Sequence, residues 1–230
     1  MRLRMGIYAW LLLILSISTL ALGTYALNKV YRGNVVEIRG RVVDELGRGV
    51  SNAVVQLKDG ATILASTKSG SDGSFIIKWN VPSSYPLGSK TLTLYVPEQS
   101  SIYVEESSTS IEMEIWDKTT LKLNSIPKKI HRGDVVTISG TLTVLGSGDP
   151  VSGVTIAISY GQSELGSTRT SKDGRFSISF KVPKNWNRGP ITIIAEFPGS
   201  PTIYLDGSKD STSTALWIKP TIQVKSVTSG

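Results

Sequence analysis

The residues of this chain that could do chemistry are few, and their spacing serves chemistry badly. There is a single histidine, His131, and no cysteine in 230 residues. Thiolate zinc sites, cysteine nucleophiles and disulfides are therefore excluded together, and most imidazole-based acid–base or metal sets with them. The carboxylate pairs are Glu105 with Glu106 and Glu112 with Glu114. On a strand, residues i and i+2 share one face, whereas carboxylate hydrolysis needs two groups across a cleft in different environments. These read as a solvated face. Asp72-Gly73 and Asp173-Gly174 lack the flanking oxygen ligands of a calcium loop and read as turns. Arg132-Gly133-Asp134 is an adhesion-type tripeptide, but Arg32-Gly33-Asn34 occupies the matching place earlier, so a turn there needs no Asp. The candidates for ligand contact are two loop aromatics. Tyr85 lies in Val81-Pro82-Ser83-Ser84-Tyr85-Pro86, and Trp186 in Val182-Pro183-Lys184-Asn185-Trp186-Asn187. An aromatic in a polar loop can stack on a sugar ring, or fold back over the end of the domain. No Asn-x-Ser/Thr sequon is present, so N-glycosylation is not expected. The expectation is a protein that is not an enzyme, with no catalytic residues, no metal and no cofactor.

The elements that must position these residues follow from an internal repeat. Val30-Tyr31-Arg32-Gly33-Asn34-Val35-Val36 matches Ile130-His131-Arg132-Gly133-Asp134-Val135-Val136 at an offset of 100. After one inserted residue the offset is 101: Asp72-Gly73-Ser74-Phe75 meets Asp173-Gly174-Arg175-Phe176, Val81-Pro82 meets Val182-Pro183, and Trp116 meets Trp217. A register held this long is a domain duplication. Each copy reads as strands. Val36-Glu37-Ile38-Arg39 and Ile111-Glu112-Met113-Glu114-Ile115-Trp116 alternate apolar with polar, as half-buried strands do. Asp-Gly turns punctuate them. The spacing predicts two all-β sandwiches.

The first residues suggest a compartment. Arg2 and Arg4 precede an uncharged run from Met5 to Leu27. It has the apolar centre and small residues of a cleavable signal peptide, and also the length of a spanning anchor, about 20 apolar residues. Either places the remainder outside the cytoplasm, with the arginines inside; uncleaved, residues 5–27 would hold the chain in the membrane. The expected organisation is residues 1–26 as signal or anchor, 27–117 and 118–220 as the two sandwiches, and 221–230 as a tail. Charge is uneven: nine basic against ten acidic residues over 27–116, thirteen against eight over 117–220. The excess forms no stripe interleaved with aromatics, so nucleic acid is not an expected partner.

The runs Ile38-Arg39-Gly40-Arg41-Val42-Val43-Asp44, Gly49-Val50-Ser51-Asn52-Ala53-Val54-Val55 and Ser71-Asp72-Gly73-Ser74-Phe75 resemble carboxypeptidase regulatory-like and bacterial Ig-like domains. The second copy, from Gly140-Thr141-Leu142 to Asp173-Gly174-Arg175-Phe176, resembles them too. The join around Thr119-Thr120-Leu121-Lys122-Leu123 is similar to joins between tandem Ig-like modules of prokaryotic, notably archaeal, surface proteins. The resemblance implies a fold and an adhesive, accessory or spacer role, with no catalytic residues to carry over.

The two copies differ at their ends. The second has a leading strand, Thr120-Leu121-Lys122-Leu123, before its Arg-Gly turn; the matching place in the first, Thr19 to Gly23, lies inside the targeting segment. Thr221-Ile222-Gln223-Val224 repeats that leading strand after Trp217. A missing strand leaves an edge that another chain can extend. The expected role is an extracytoplasmic structural or adhesive protein of the cell envelope, whose partners are other envelope proteins or copies of itself, assembled head-to-tail through Thr221, Ile222, Gln223 and Val224. The alternatives are a carbohydrate-binding accessory module using Trp186 and Tyr85, or an anchored spacer of a larger surface complex.

Overall fold

The computed structural model describes residues 28–227. The expected signal or anchor, and with it the choice between cleavage and anchoring, lies outside the described residues. Among the described residues no helix is long and apolar enough to cross a membrane. The contacts divide the chain into two compact units between Asp117 and Lys118.

Among its described residues the first unit holds seven strands: β1 (Asn28–Tyr31), β2 (Val35–Arg41), β3 (Val54–Asp59), β4 (Thr62–Lys68), β5 (Ser74–Asn80), β6 (Gly88–Val96) and β7 (Ser107–Trp116). Five form one sheet in the order β1-β7-β6-β3-β4, and β2 pairs with β5 in a second. The strands alternate as their sequences require. In β5, Phe75, Ile77 and Trp79 are buried, while the residues between them are exposed. These meet Ile38 of β2, Val55 and Leu57 of β3, Leu92 and Leu94 of β6, and Ile111, Met113 and Ile115 of β7 in one core. Burying each such side chain contributes about 1.5–3 kcal/mol.

The second unit repeats this plan with β9 (Lys129–His131), β10 (Val135–Val144), β11 (Thr155–Tyr160), β12 (Ser163–Arg169), β13 (Arg175–Lys181), β14 (Gly189–Ser200) and β15 (Leu205–Trp217). Its five-stranded sheet runs β12-β11-β14-β15-β9, strand for strand the order of the first unit. Details repeat as well. The β3·β4 register shifts after Leu57, and β11·β12 after Ile158. The first and last strands of each five-stranded sheet pair in parallel, Asn28 to Tyr31 with Met113 to Trp116, and Lys129 to His131 with Ala215 to Trp217. A lysine caps each closing tryptophan: Lys29 Nζ is 3.7 Å from the Trp116 ring centre and Lys129 Nζ 4.3 Å from that of Trp217. Cation–π attraction of this kind suits rings left at the surface.

Among the described residues, one strand has no counterpart in the first unit. β8 (Thr119–Leu123) adds to β10, so the smaller sheet of the second unit is β13-β10-β8. Among the described residues, β2 has β5 alone.

Candidate functional site

The turn residues settle first. Asp72 Oδ1 accepts from the Ser74 backbone N–H at 3.0 Å and from its hydroxyl at 2.6 Å, and these donors hold the carboxyl below its ordinary value. Asp173 is lowered chiefly by the Ser171 hydroxyl. Gly73 and Gly174 have φ of 82° and 73°. A Cβ on them would lie 2.2 Å from the Val42 carbonyl oxygen and 2.5 Å from that of Leu142. The Asp-Gly pairs thus bring the turn against β2 and β10, as turn residues do, and no group of three or more acidic or imidazole side chains able to hold a metal occurs among the described residues.

The Arg132-Gly133-Asp134 tripeptide is likewise built into its own fold. Arg132 donates through Nε and Nη2 to the Trp186 carbonyl at 3.0 and 2.7 Å, and Asp134 Oδ2 accepts from the His131 N–H at 2.7 Å. Arg32 does the same work in the first unit, reaching the Ser83 carbonyl at 2.7 Å. His131 Nδ1 lies 3.4 Å from Asp134 Oδ2.

Tyr85 and Trp186 sit at the same end of their respective units, but their rings face inward. Each is 9% exposed. Tyr85 meets Trp79 edge-on at 5.0 Å, and its hydroxyl donates to Asp59. Burial, reinforced by that carboxylate, pushes the phenol above its ordinary value. Trp186 packs on Tyr160 at 4.5 Å and Phe180 at 5.9 Å. Stacking on a sugar needs a free ring face, and both rings are largely taken up by packing within their own units.

One cleft was not legible in the sequence. About 580 Å³ in volume, it is lined in the second unit by Asn124, Ser139, Thr141, Arg169, Ser171 and Arg175, among others. These residues lie far apart in the chain and come together only through strand pairing. Both arginines are engaged within the fold, Arg169 with the Gly153 carbonyl at 3.1 Å and Arg175 with Asp173 at 3.3 Å.

The remaining site is the outer edge of β2, and its counterpart shows what that edge accommodates. β8 pairs antiparallel with β10, placing Leu123 opposite Gly140, Lys122 opposite Thr141 and Leu121 opposite Leu142. Leu121 is buried. β8 is also stitched across to β15: the Thr119 hydroxyl reaches the Asp206 carbonyl at 2.7 Å, and Asp210 accepts the Leu123 N–H at 2.8 Å. Gly140 is needed for this approach, because a Cβ there would lie 2.4 Å from the Lys122 carbonyl oxygen and 2.7 Å from the Phe176 ring. The sequence repeats the arrangement at Gly40, which faces Phe75 across the β2·β5 ladder just as Gly140 faces Phe176. The tail residues Thr221, Ile222, Gln223 and Val224 form no strand and are exposed, Ile222 at 90% and Val224 at 74%.

No protein-family model and no curated protein matches the chain. Among solved structures, the D1-D4 ectodomain fragment of ICAM-5 superposes with a TM-score of 0.50 at 11% identity, covering 84% of this chain and 52% of that one. A three-Ig segment of titin gives 0.48 at 12% identity, over 83% and 62%. The fibronectin(III)-like modules of Clostridium thermocellum CbhA give 0.33 at 16% identity, over 83% and 90%. With the strand orders above, the described residues are all-β: two tandem immunoglobulin-like β-sandwiches.

Proposed function

We propose that this is a non-enzymatic structural and adhesive protein of the cell envelope. Its two Ig-like modules, of carboxypeptidase regulatory-like type, stand outside the cytoplasm behind residues 1–26 and engage envelope partners through the edge of β2. The carrying observation is the difference between the two units: a three-stranded sheet in one, and two strands with an unextended edge among the described residues in the other. Edge strands present a row of N–H and C=O groups that pair readily with an added strand. The targeting pattern, Arg2 and Arg4 before an uncharged run, supports the compartment. The experiment is labelling of intact cells with a membrane-impermeant amine reagent, followed by mass spectrometry of the protein. Surface lysines of both units, such as Lys68 and Lys172, should be modified without lysis. Labelling only after lysis would overturn the envelope assignment. The mass of the same sample shows whether residues 1–26 remain, which separates a secreted protein from an anchored one.

A further inference from the structure

The geometry points to the occupant of that edge: the tail strand Thr221–Val224 of a second copy of this chain, pairing antiparallel with β2 in the register that β8 uses on β10. The inference rests on the reading of β2 as an interaction edge and names its partner.

Three observations converge. First, the tail is the repeat of β8. At the offset of 101 that aligns Trp116 with Trp217, Thr221 corresponds to Thr120, Ile222 to Leu121, Gln223 to Lys122 and Val224 to Leu123. Pro220 stands where Thr119 does; having no N–H to contribute, it marks where the donated strand begins. Second, the sidedness agrees. Along β8 the alternate residues Thr119 and Leu121 are buried, while Thr120 and Lys122 are exposed. The tail places Ile222 and Val224 in the inward phase and Thr221 and Gln223 in the outward phase. The two apolar residues that would turn inward stand exposed at present. Third, the acceptor keeps the feature that strand approach requires. A glycine in the middle of a strand weakens it, and marks where another backbone comes close. Gly140 admits the Lys122 carbonyl, and Gly40 holds the same position in β2, opposite Phe75.

Transferring the β8·β10 register sets Val224 opposite Gly40, Gln223 opposite Arg41 and Ile222 opposite Val42. Backbone groups alternate in direction along a strand, so Arg39 and Arg41, the counterparts of Ser139 and Thr141, direct theirs to the edge away from β5; Ser139 accepts the Asn124 N–H at 2.9 Å in this way. Because the donor segment lies in one copy and the acceptor in the next, the contact is heterologous and extends into a chain of subunits unless rotation closes it.

The absence of cysteine in the native sequence makes a direct test clean. Arg41→Cys and Gln223→Cys variants of the full chain, isolated from the envelope, are mixed and treated with a short thiol-bridging reagent. Opposed residues on paired strands have Cβ atoms about 5 Å apart, so a cross-linked pair should form between the two variants. It should fall at least tenfold when the second partner is Lys225→Cys, or when Ile222→Asp and Val224→Asp are added to the donor. Those substitutions lie in an exposed segment outside both cores, so folding is not at stake. Light scattering should show mass above the monomer for the native chain and monomer for the Asp variant. A monomeric native chain would overturn the inference. So would a link formed only within single chains carrying both substitutions, or a link from Arg41→Cys to Leu22→Cys, which would place the chain's own residues 19–23 on β2. Each of these would leave the surface labelling of intact cells unaffected, so failure of self-pairing is distinguishable from failure of the envelope assignment.

Discussion

Tyr85 shows how much a single hydroxyl does at the end of a sandwich. Its ring lids Trp79, and its O–H is spent on Asp59. Tyr85→Phe should lower stability by about 1 kcal/mol, the net worth of one hydrogen bond, measured by denaturant unfolding. The pH dependence has a definite sign. The folded phenol titrates above its ordinary value of 10.0, so its contribution is complete below that pH and is lost as pH rises past it. The native chain should therefore weaken above pH 10, and Tyr85→Phe should flatten that alkaline limb. The glycines are less forgiving. Gly73→Ala places a methyl 2.2 Å from the Val42 carbonyl oxygen at a φ of 82°, and should cost about 2 kcal/mol or more, visible as a lowered melting temperature. At this scale the sequence was half legible. The Asp-Gly turns were readable because φ > 0 chemistry is local. The fate of Tyr85 and Trp186 was not, because which way a loop aromatic turns depends on the core it meets, and periodicity does not record that.

The elements were more legible than the side chains. Alternation located β2 and β7, since a two-residue period is imposed by the pleat itself. The repeat then located their partners in the second unit without further assumption. The short strands β1 and β9 were harder. Three or four residues carry too little alternation to announce themselves, and their parallel pairing with β7 and β15 comes from chain topology. What borders the outer edge of β2 is not recorded by alternation within β2 itself, because an edge strand is specified by what lies beside it. Its energetic content is testable. A chain of residues 118–217, which includes β8, should melt at a higher temperature than one of residues 28–117, and a peptide of residues 220–226 should raise the melting temperature of the latter alone. Equal melting temperatures with no response to the peptide would show that the β2 edge needs no strand.

At the scale of the whole molecule, stability has to come from packing, because the sequence holds no cysteine and so no disulfide. Duplication supplies it twice, with cores built on equivalent positions: Phe75 and Leu57 in one unit, Phe176 and Ile158 in the other. The parallel closure of each five-stranded sheet has a mechanical consequence. β1 begins the described part of the first unit and β7 ends it, and the two run side by side in the same direction. A tensile load drawing those ends apart therefore acts along the strands, so that every rung of the β1·β7 ladder is strained at once and none can unzip before its neighbour. β9 and β15 repeat the device behind β8. A tether made of such units resists being stretched far better than its few short rungs would suggest if they were peeled singly.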